Sequence, residues 1–229
     1  MMIFVIRSIV MKNISKHKTV SILNQKGGAG KTTLATNLAR ALQSLKHNVL
    51  LVDSDPQGSA RDWNECNNGN LIPVVGLDRE SLAKDLQAIS LGYDWIVIDG
   101  APQIAKLSAA AVKASDIVLI PVQPSPYDVW ACSDLVEIIK ARQELNDGEP
   151  KAAFIVSRAI RNSKLENEVK IALKEYGIPL MNAYTTQRVI YPTVASDGKT
   201  VFESNDQKAK DEILSITEEM LRRLNGIAN

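Results

Sequence analysis

Short runs of apolar, β-branched residues recur along the chain and alternate with longer stretches in which apolar residues follow a helical spacing. The runs predict six buried strands, at residues 20–23, 49–52, 72–75, 95–98, 117–122 and 153–156. After the first run, one face of a helix is marked by Leu34, Leu38, Leu42 and Leu45, with Ala35 and Ala39. This alternation is typical of a twisted, mostly parallel sheet with helices on both faces. We therefore predict an α/β fold, as a single domain over residues 18–229.

The composition limits the chemistry that this domain can carry. The chain has 229 residues, 45% of them hydrophobic, and 27 Lys and Arg against 26 Asp and Glu give a net charge of +1. The apolar share suffices for a packed core, and the balanced charge means that nucleic-acid contact needs a local basic patch. Cys66 and Cys132 form no CxxC pair, which disfavours a disulfide scaffold or a cysteine zinc site and indicates a reducing, cytoplasmic setting. We expect both cysteines to be packing residues.

Residues 1–17 precede the first predicted strand, and we expect them to form a flexible leader. Arg7 interrupts their apolar run and no small-residue cleavage site follows, so the pattern does not match a secretory signal. Met11 is a possible alternative start of the protein. No later window approaches the roughly 20 apolar residues of a membrane span, and we expect no membrane partner.

The strongest chemical signal is the sequence NQKGGAGKTT at residues 24–33, between the first predicted strand and the first predicted helix. Glycines let the backbone wrap around an anion, and a helix N-terminus presents free N–H groups to it. Lys31 is placed to bind the β- and γ-phosphates of a nucleotide, and the Thr32 hydroxyl to ligate Mg²⁺. The general pattern GxxxxGK[ST] is not met in full, because Gln25 stands at its first position. The predicted nucleotide-binding residues are Gly27, Gly28, Ala29, Gly30, Lys31, Thr32 and Thr33.

With its additional lysine, Lys26, this loop resembles the deviant Walker A motif of the ParA/MinD family of ATPases. The resemblance implies a P-loop NTPase fold, ATP and Mg²⁺ as cofactors, hydrolysis of ATP to ADP and phosphate, and an ATP-dependent sandwich homodimer. In such a dimer Lys26 reaches the phosphates of the facing subunit, where a second cation neutralises charge on the transferred phosphoryl group. Lys26 and Lys31 are therefore predicted catalytic residues. The alternative is that Lys26 is a solvated lysine beside the loop.

Two further predicted strands end in carboxylates. Strand 49–52 runs into Asp53 and Asp55, and strand 95–98 runs into Asp99, at the edge where open α/β sheets bind ligands. Asp99 has the position of a Walker B aspartate and is predicted to hold a Mg²⁺-bound water. By resemblance to the family, Asp53 supports Mg²⁺ through water and Asp55 positions the attacking water as a third catalytic residue. Aspartates at strand ends also serve as turn formers or caps.

Three later segments extend the resemblance to about residues 18–225. They are IVLIPVQPSPYD at 117–128, QRVIY at 187–191 and DGKTVFE at 197–203, and they are similar to short, ParF-like plasmid-partition ParA proteins. The roughly 18 residues before the first strand are too few for the helix-turn-helix domain of longer relatives, so operator binding is not expected. The last predicted helix, residues 206–224, carries five acids, four bases and an apolar stripe. This pattern favours core packing over binding to an anionic membrane.

The resemblance also implies nonspecific DNA binding by the ATP-bound dimer, with Arg188 as the best candidate by motif position. Weaker candidates are Lys199, Arg222 and Arg223, and a second basic cluster contains Arg158, Arg161 and Lys164. The predicted function is an ATP-dependent DNA partition ATPase, nucleoid-associated in its ATP state, whose hydrolysis is stimulated by a centromere-binding, ParB-type adaptor. One alternative is the same machinery positioning a protein cargo. Another is a metabolic P-loop enzyme similar to dethiobiotin synthetase, against which Lys26 and the PVQPSPYD segment argue.

Overall fold

The computed structural model describes residues 17–160 and 164–226, with the backbone alone for residues 164–167. The predicted leader lies outside the described residues, apart from His17. Within the described chain, six strands form one sheet: β1 (Lys18–Ile22), β2 (Val49–Asp53), β3 (Val74–Gly76), β4 (Trp95–Asp99), β5 (Ile117–Val122) and β6 (Lys151–Val156). The strand order is β3-β2-β4-β1-β5-β6 and every pair is parallel, which confirms the predicted sheet.

Helices connect the strands and cover both faces of the sheet, as the alternating pattern predicted. They are α1 (Lys31–Ser44), α2 (Ser59–Glu65), α3 (Leu82–Ile89), α4 (Ala105–Ala114), α5 (Pro126–Trp130), α6 (Ser133–Glu144), α7 (Lys164–Lys174), α8 (Ile190–Ala195) and α9 (Gln207–Leu224), with a 3₁₀ helix at Val201–Glu203. No helix in this part of the chain is long and apolar enough to cross a membrane.

Two hydrophobic cores lie on opposite sides of the sheet because successive strand residues point to opposite faces. On β4, Val97 packs into the core with α1, α2, α8 and α9, whereas Ile96 and Ile98 pack into the core with α3, α4, α6 and α7. The stripe predicted on the last helix is buried in the first of these cores, since Ile213, Ile216 and Met220 are fully enclosed. This confirms its role in core packing.

Three details differ from the sequence-based expectations. The third strand begins at Val74 rather than at residue 72, because Pro73 has no N–H for a ladder bond and contributes only its carbonyl, which accepts from Leu51. Leu45 lies beyond the end of α1 and is exposed, because the chain turns at Lys46 with a positive φ of 71°. Cys132 is buried as expected, but Cys66 is exposed at the end of α2, so its expected packing role is wrong.

The topology brings the chemically interesting residues to one edge of the sheet. The chain passes from β1 outward to β2 and β3, returns to β4, and then continues on the other side of β1 with β5 and β6. The carboxyl end of β1 therefore lies at a topological switch point, where ligands bind in open α/β sheets. In the strand register Asp53 lies opposite Asp99, and Asp99 lies opposite Ile22, directly before the glycine-rich loop.

Candidate nucleotide-binding site

The loop between β1 and α1 is shaped by side-chain anchors and by two glycines. Asn24 is buried: its amide nitrogen donates to the carbonyl of Pro121 at 2.7 Å, and its oxygen accepts from the backbone N–H of Lys26 at 2.8 Å. Gly28 and Gly30 have φ values of 74° and 97°, the left-handed region that other residues rarely adopt. The turn therefore needs glycine at both positions before α1 begins.

Three carbonyl oxygens of this loop accept hydrogen bonds from side chains. Lys31 Nζ donates to the carbonyl of Lys26 at 3.1 Å, Gln123 Nε2 to that of Gly28 at 2.6 Å, and Ser157 Oγ to that of Ala29 at 2.8 Å. In the described chain no side chain caps the first turn of α1, so its N–H groups keep their donor capacity. A loop with fixed carbonyls and free N–H groups at a helix N-terminus is an anion-binding site.

Lys31 supplies the positive charge of this site. Its side chain is buried, which lowers the pKa of the ammonium group, while the nearby carboxylates of Asp99 and Asp55 act in the opposite direction. Burial weakens solvent screening around the ammonium group and therefore strengthens its attraction for phosphate oxygens. The predicted role of Lys31 in binding the phosphates stays a prediction.

Thr32 and Asp99 form a hydrogen-bonded pair beside the loop, and their predicted roles at a magnesium ion stay predictions. Thr32 Oγ1 donates to Asp99 Oδ2 at 2.6 Å, and the Oδ1 atom of Asp99 is buried without a hydrogen-bond partner among the described residues. Burial, with a smaller contribution from the charge of Asp53, raises the pKa of Asp99 to about 7, against the opposing effects of Thr32 and Lys31. An oxygen with unused acceptor capacity next to a hydroxyl suits a Mg²⁺-bound water.

No group of three or more His, Cys, Asp and Glu in the described chain can hold a metal ion alone. This fits Mg²⁺, which keeps several waters and is bound by one or two protein groups together with substrate phosphates. The donor set of Thr32 and Asp99 therefore suits a metal that arrives with a nucleotide.

Asp53 holds the turn that carries Asp55. Asp53 Oδ1 accepts from the backbone N–H of Asp55 at 3.0 Å, and Oδ2 accepts from those of Ala60 and Arg61 at 3.1 and 3.0 Å. Asp55 itself is half-buried, and its Oδ1 accepts from the N–H of Gln57 at 2.9 Å. Both carboxylates thus also shape the turn, which was the alternative interpretation, and their predicted magnesium and water-positioning roles stay predictions.

Lys26 forms an ion pair with Asp128 of α5. The Lys26 side chain is 39% exposed, whereas Asp128 is buried and its Oδ1 atom has no partner in the described chain. The predicted role of Lys26 at the phosphates of a facing subunit stays a prediction. The sequence did not reveal this ion pair, because the two residues are about a hundred positions apart.

A cavity of about 560 Å³ adjoins the loop. The sequence did not predict this cavity. It begins at Gly30 and Thr33 and is mostly apolar, a size and character that suit the nucleoside half of a nucleotide. Arg158 stands at its edge with a φ of 53°, rare for a side chain of this size. Other lining residues are Leu34, Ile155, Ser157, Thr185, Thr186, Gln187, Arg188, Val189, Tyr191, Pro192 and Ile213. The available signal was the polar pair Ser157-Arg158 directly after an apolar strand.

The four basic residues predicted near the C-terminus all pair with acids. Arg188 is half-buried, and its Nε donates to Glu212 at 2.9 Å while its NH1 lies 3.7 Å from Asp206. Each of the others has a partner close along the chain: Lys199 with Asp197, Arg222 with Glu218, and Arg223 with Glu219. These pairs give the surface less free positive charge than the sequence suggested. In the second predicted cluster Arg158 is exposed, and the side chains of Arg161 and Lys164 lie outside the description.

A glycine-rich loop that ends in Lys-Thr at a helix N-terminus, with an aspartate at the end of the neighbouring strand, defines a P-loop nucleotide-binding protein. Residues 20–201 match the family described as "CobQ/CobB/MinD/ParA nucleotide binding domain". This match spans most of the 229-residue chain, which therefore belongs to that family and is an ATPase of the ParA/MinD type. The predicted family, P-loop fold and enzyme class are confirmed.

The proteins to which this chain is similar are named after different cellular processes. The chain is 29% identical over 213 residues to the "Maintenance of carboxysome distribution protein A" of Halothiobacillus neapolitanus, across 90% of this chain and 98% of that protein. It is 32% identical over 201 residues to the "Chromosome partitioning protein ParA" of Myxococcus xanthus, across 69% of this chain and 71% of that protein. The septum site-determining protein MinD of Pyrococcus horikoshii OT3, solved with Mg-ADP, has the same fold, with a TM-score of 0.70 at 17% identity over 93% of this chain and 100% of that one.

Proposed function

We propose that this ATPase is a switch for DNA partition, in which Mg·ATP joins two copies face to face and the pair binds DNA without sequence preference. A ParB-type, centromere-binding adaptor then stimulates hydrolysis and releases the pair. One observation carries the proposal: Lys26 belongs to the phosphate-binding loop, yet its partly exposed ammonium pairs with Asp128 of α5 rather than with a group of the loop. A lysine in that position is available to a nucleotide held by a second copy.

The cofactors are ATP and Mg²⁺, and different parts of the loop bind them. Lys31 and the N–H groups at the start of α1 bind the phosphates, while the adjoining cavity takes the nucleoside. Thr32, which donates to Asp99, would ligate the metal. Asp99 and Asp53 would hold it through water. Bound there, Mg²⁺ neutralises charge on the phosphate oxygens during transfer.

The ion pair between Lys26 and Asp128 makes hydrolysis depend on assembly. Removing Lys26 from this pair leaves the buried Asp128 carboxylate without its counter-charge, which is costly in a low-dielectric environment. The phosphates of a facing copy offer Lys26 a stronger partner. A single copy therefore binds ATP but lacks the second cation that phosphoryl transfer needs.

Asp55 positions the water that attacks the γ-phosphate. Its turn is fixed by Asp53 on one side and by the N–H of Gln57 on the other, so a small shift of the turn moves the carboxylate. An adaptor that completes this alignment raises the rate without adding a catalytic group of its own.

The DNA-binding surface combines exposed basic residues around the loops that follow β6. Arg158 is exposed at the cavity edge, and Lys208 lies with Arg188 in a second groove nearby. Contacts of this kind to phosphates are individually weak and depend strongly on salt, which suits a reversible hold on DNA. Pairing of two copies doubles the number of contacts and gates DNA binding by ATP.

The test is binding to a random DNA duplex at moderate salt, without nucleotide, with ADP, and with Mg·ATP. Asp55→Ala holds the ATP state and serves as the positive control. The proposal is supported if the parent binds DNA only with Mg·ATP and if Asp55→Ala also binds DNA with Mg·ATP. Equal binding in all three states contradicts the proposal that the nucleotide controls DNA binding. Binding in none of them, although two copies pair, contradicts it as well.

A protein cargo is the second candidate, and the length of the relatives favours it. The match to the carboxysome distribution protein covers nearly all of both chains, whereas the match to the chromosome partitioning protein covers about two thirds. Deleting the gene separates the two candidates. Loss of a replicon from daughter cells supports DNA partition, and clustering of a protein body with normal DNA inheritance supports the second candidate.

A further inference from the structure

Arg61 is the third residue of α2, and its side chain folds back over the turn that carries Asp55. Its NH2 group donates to the backbone carbonyl of Asp55 at 2.8 Å, and its Nε atom lies 3.4 Å from Oδ2 of the buried Asp53. The same NH2 group lies 3.5 Å from Oδ2 of Asp78, in the loop after β3. One guanidinium therefore joins the end of β2, the turn that follows it and a loop of the neighbouring strand.

Two glycines leave room for this guanidinium. A Cβ atom at Gly58 would lie 3.2 Å from Nε and NH2 of Arg61, and a Cβ atom at Gly76 would lie 3.1 Å from its Cδ and NH1. Both distances are tighter than ordinary van der Waals contact, so a side chain at either position would push the guanidinium aside. Gly58 also has a φ of 73°, which the turn requires, whereas Gly76 has no positive φ. The small size of Gly76 thus serves the space that Arg61 fills.

Both backbone polar groups of Asp55 are bound within this cluster. Its N–H donates to Asp53 Oδ1 at 3.0 Å, and its carbonyl accepts from the N–H of Gly58 at 2.9 Å as well as from Arg61. The aspartate side chain is short and sits in one of a few rotamers, so the position of its carboxylate follows that of its backbone. Arg61 therefore helps to set where the Asp55 carboxylate lies.

We infer that Arg61 is a positioning residue for ATP hydrolysis, which holds the Asp55 carboxylate where the attacking water is bound. The inference rests on the proposed function, because it requires that Asp55 positions this water. A planar guanidinium carries several donors in a fixed fork, so it can bind a carboxylate and a carbonyl at the same time. The simpler explanation is that Arg61 only neutralises the buried Asp53, and in that case any cation of similar length would serve.

Steady-state phosphate release separates these two roles. Arg61→Met keeps an unbranched side chain between the two glycines but removes the guanidinium. Because a small displacement of a catalytic group is enough to slow a reaction, we expect kcat to fall about tenfold while KM for ATP stays within about twofold. Arg79→Met is the matched control, because Arg79 is exposed and pairs with Asp85 of α3. It should change neither kcat nor KM.

Arg61→Lys keeps a positive charge beside Asp53 but offers a single point of donation in place of the fork. We expect this variant to recover the thermal stability that Arg61→Met loses, but not its kcat. Full kcat in Arg61→Lys would show that charge alone suffices and would overturn the inference. Full kcat in a folded Arg61→Met would overturn it as well.

Coupling between Arg61 and Asp55 is the closing measurement. If Arg61 acts through Asp55, adding Arg61→Met to Asp55→Ala should slow the remaining single-turnover hydrolysis less than about twofold. An equal loss in the parent and in Asp55→Ala would show independent action and would overturn the inference. Binding of a fluorescent ATP analogue shows that each variant is folded. If Asp55→Ala itself hydrolyses ATP normally, the proposed role of Asp55 fails and this inference fails with it; if Asp55→Ala is slow and Arg61→Met is as fast as the parent, only this inference fails.

Discussion

The carboxyl edge of the sheet can be compared with the C-terminal face, by which we mean the surface positions of Arg188, Lys199, Arg222 and Arg223. Both carry several candidate functional charges, but the charges have different partners. At the sheet edge, Asp99 keeps a buried oxygen without a partner in the described chain, and the buried ammonium of Lys31 donates to a backbone carbonyl rather than to a carboxylate. At the C-terminal face, Arg188 is held by Glu212 and Asp206. Lys199, Arg222 and Arg223 are likewise each paired with an acid.

This difference teaches how a charged residue can be interpreted. A buried polar atom left unsatisfied is costly, so its presence needs an explanation, such as a bound water or ion, strain or a catalytic role. A basic residue that is matched by a neighbouring acid needs no ligand to explain it. We therefore expect substitutions at the sheet edge to affect chemistry, and substitutions at the C-terminal face to affect mainly stability.

The largest effect should come from Lys31→Ala. Loss of the buried cation removes charge stabilisation from the phosphates in both the ground state and the transition state, so turnover should fall about a thousandfold and ATP affinity should fall as well. The measurements are phosphate release and binding of a fluorescent ATP analogue. Lys113→Ala, at an exposed position on α4, is the matched control and should change neither. Normal turnover in Lys31→Ala would refute the site.

Lys26→Gln should have the next largest effect and should separate the two loop lysines. We expect ATP binding to be retained, because Lys26 pairs with Asp128 of α5 rather than with the loop, while turnover falls about a hundredfold and pairing of two copies is lost. The assay pairs nucleotide binding with sedimentation in Mg·ATP.

A control is needed because Lys26→Gln leaves the buried Asp128 without its counter-charge. The double variant Lys26→Gln/Asp128→Asn removes both charges and should restore stability but not turnover. Recovery of turnover in the double variant would show that Lys26 acts only through Asp128.

Asp99→Asn should change how stability depends on pH. Asp99 keeps its proton up to about pH 7 in the folded chain, whereas the unfolded chain releases it near the ordinary aspartate pKa of about 3.9. The resulting stabilisation is present in full below the unfolded pKa and is lost as the pH rises through about 7. Between these values the unfolding free energy of the parent should fall, relative to Asp99→Asn, by about 1.4 kcal/mol per pH unit.

Urea unfolding without nucleotide, at several pH values from 5 to 8, measures this slope. Asp147→Asn is the comparison variant, because Asp147 is exposed in the loop before β6. A stability difference between the parent and Asp99→Asn that does not vary with pH would contradict the raised pKa.

The sequence predicted the sheet, its helices and the phosphate-binding loop because these features depend on local spacing. An apolar run, the glycine-rich loop and an aspartate at the end of a strand are each recognisable within a window of about ten residues. It did not predict the Lys26–Asp128 pair, because the sequence separation of 102 residues is closed only by the fold. It also could not show that Glu212, 24 residues away, neutralises Arg188.

The smallest effect should come from Arg188→Ala, which tests the C-terminal face. Glu212 would lose a charged donor but keep its bonds from Thr186 and Tyr191, so we expect a loss of ~1–2 kcal/mol in the free energy of unfolding. Arg222→Ala breaks an exposed pair on α9 and should cost under about 0.5 kcal/mol. If Arg188 also contacts DNA, the folded variant should bind DNA more weakly and lose about one unit of salt dependence. Unchanged stability together with weaker DNA binding would show that the arginine serves the ligand rather than the fold, and that the contrast between the two regions is wrong at this residue.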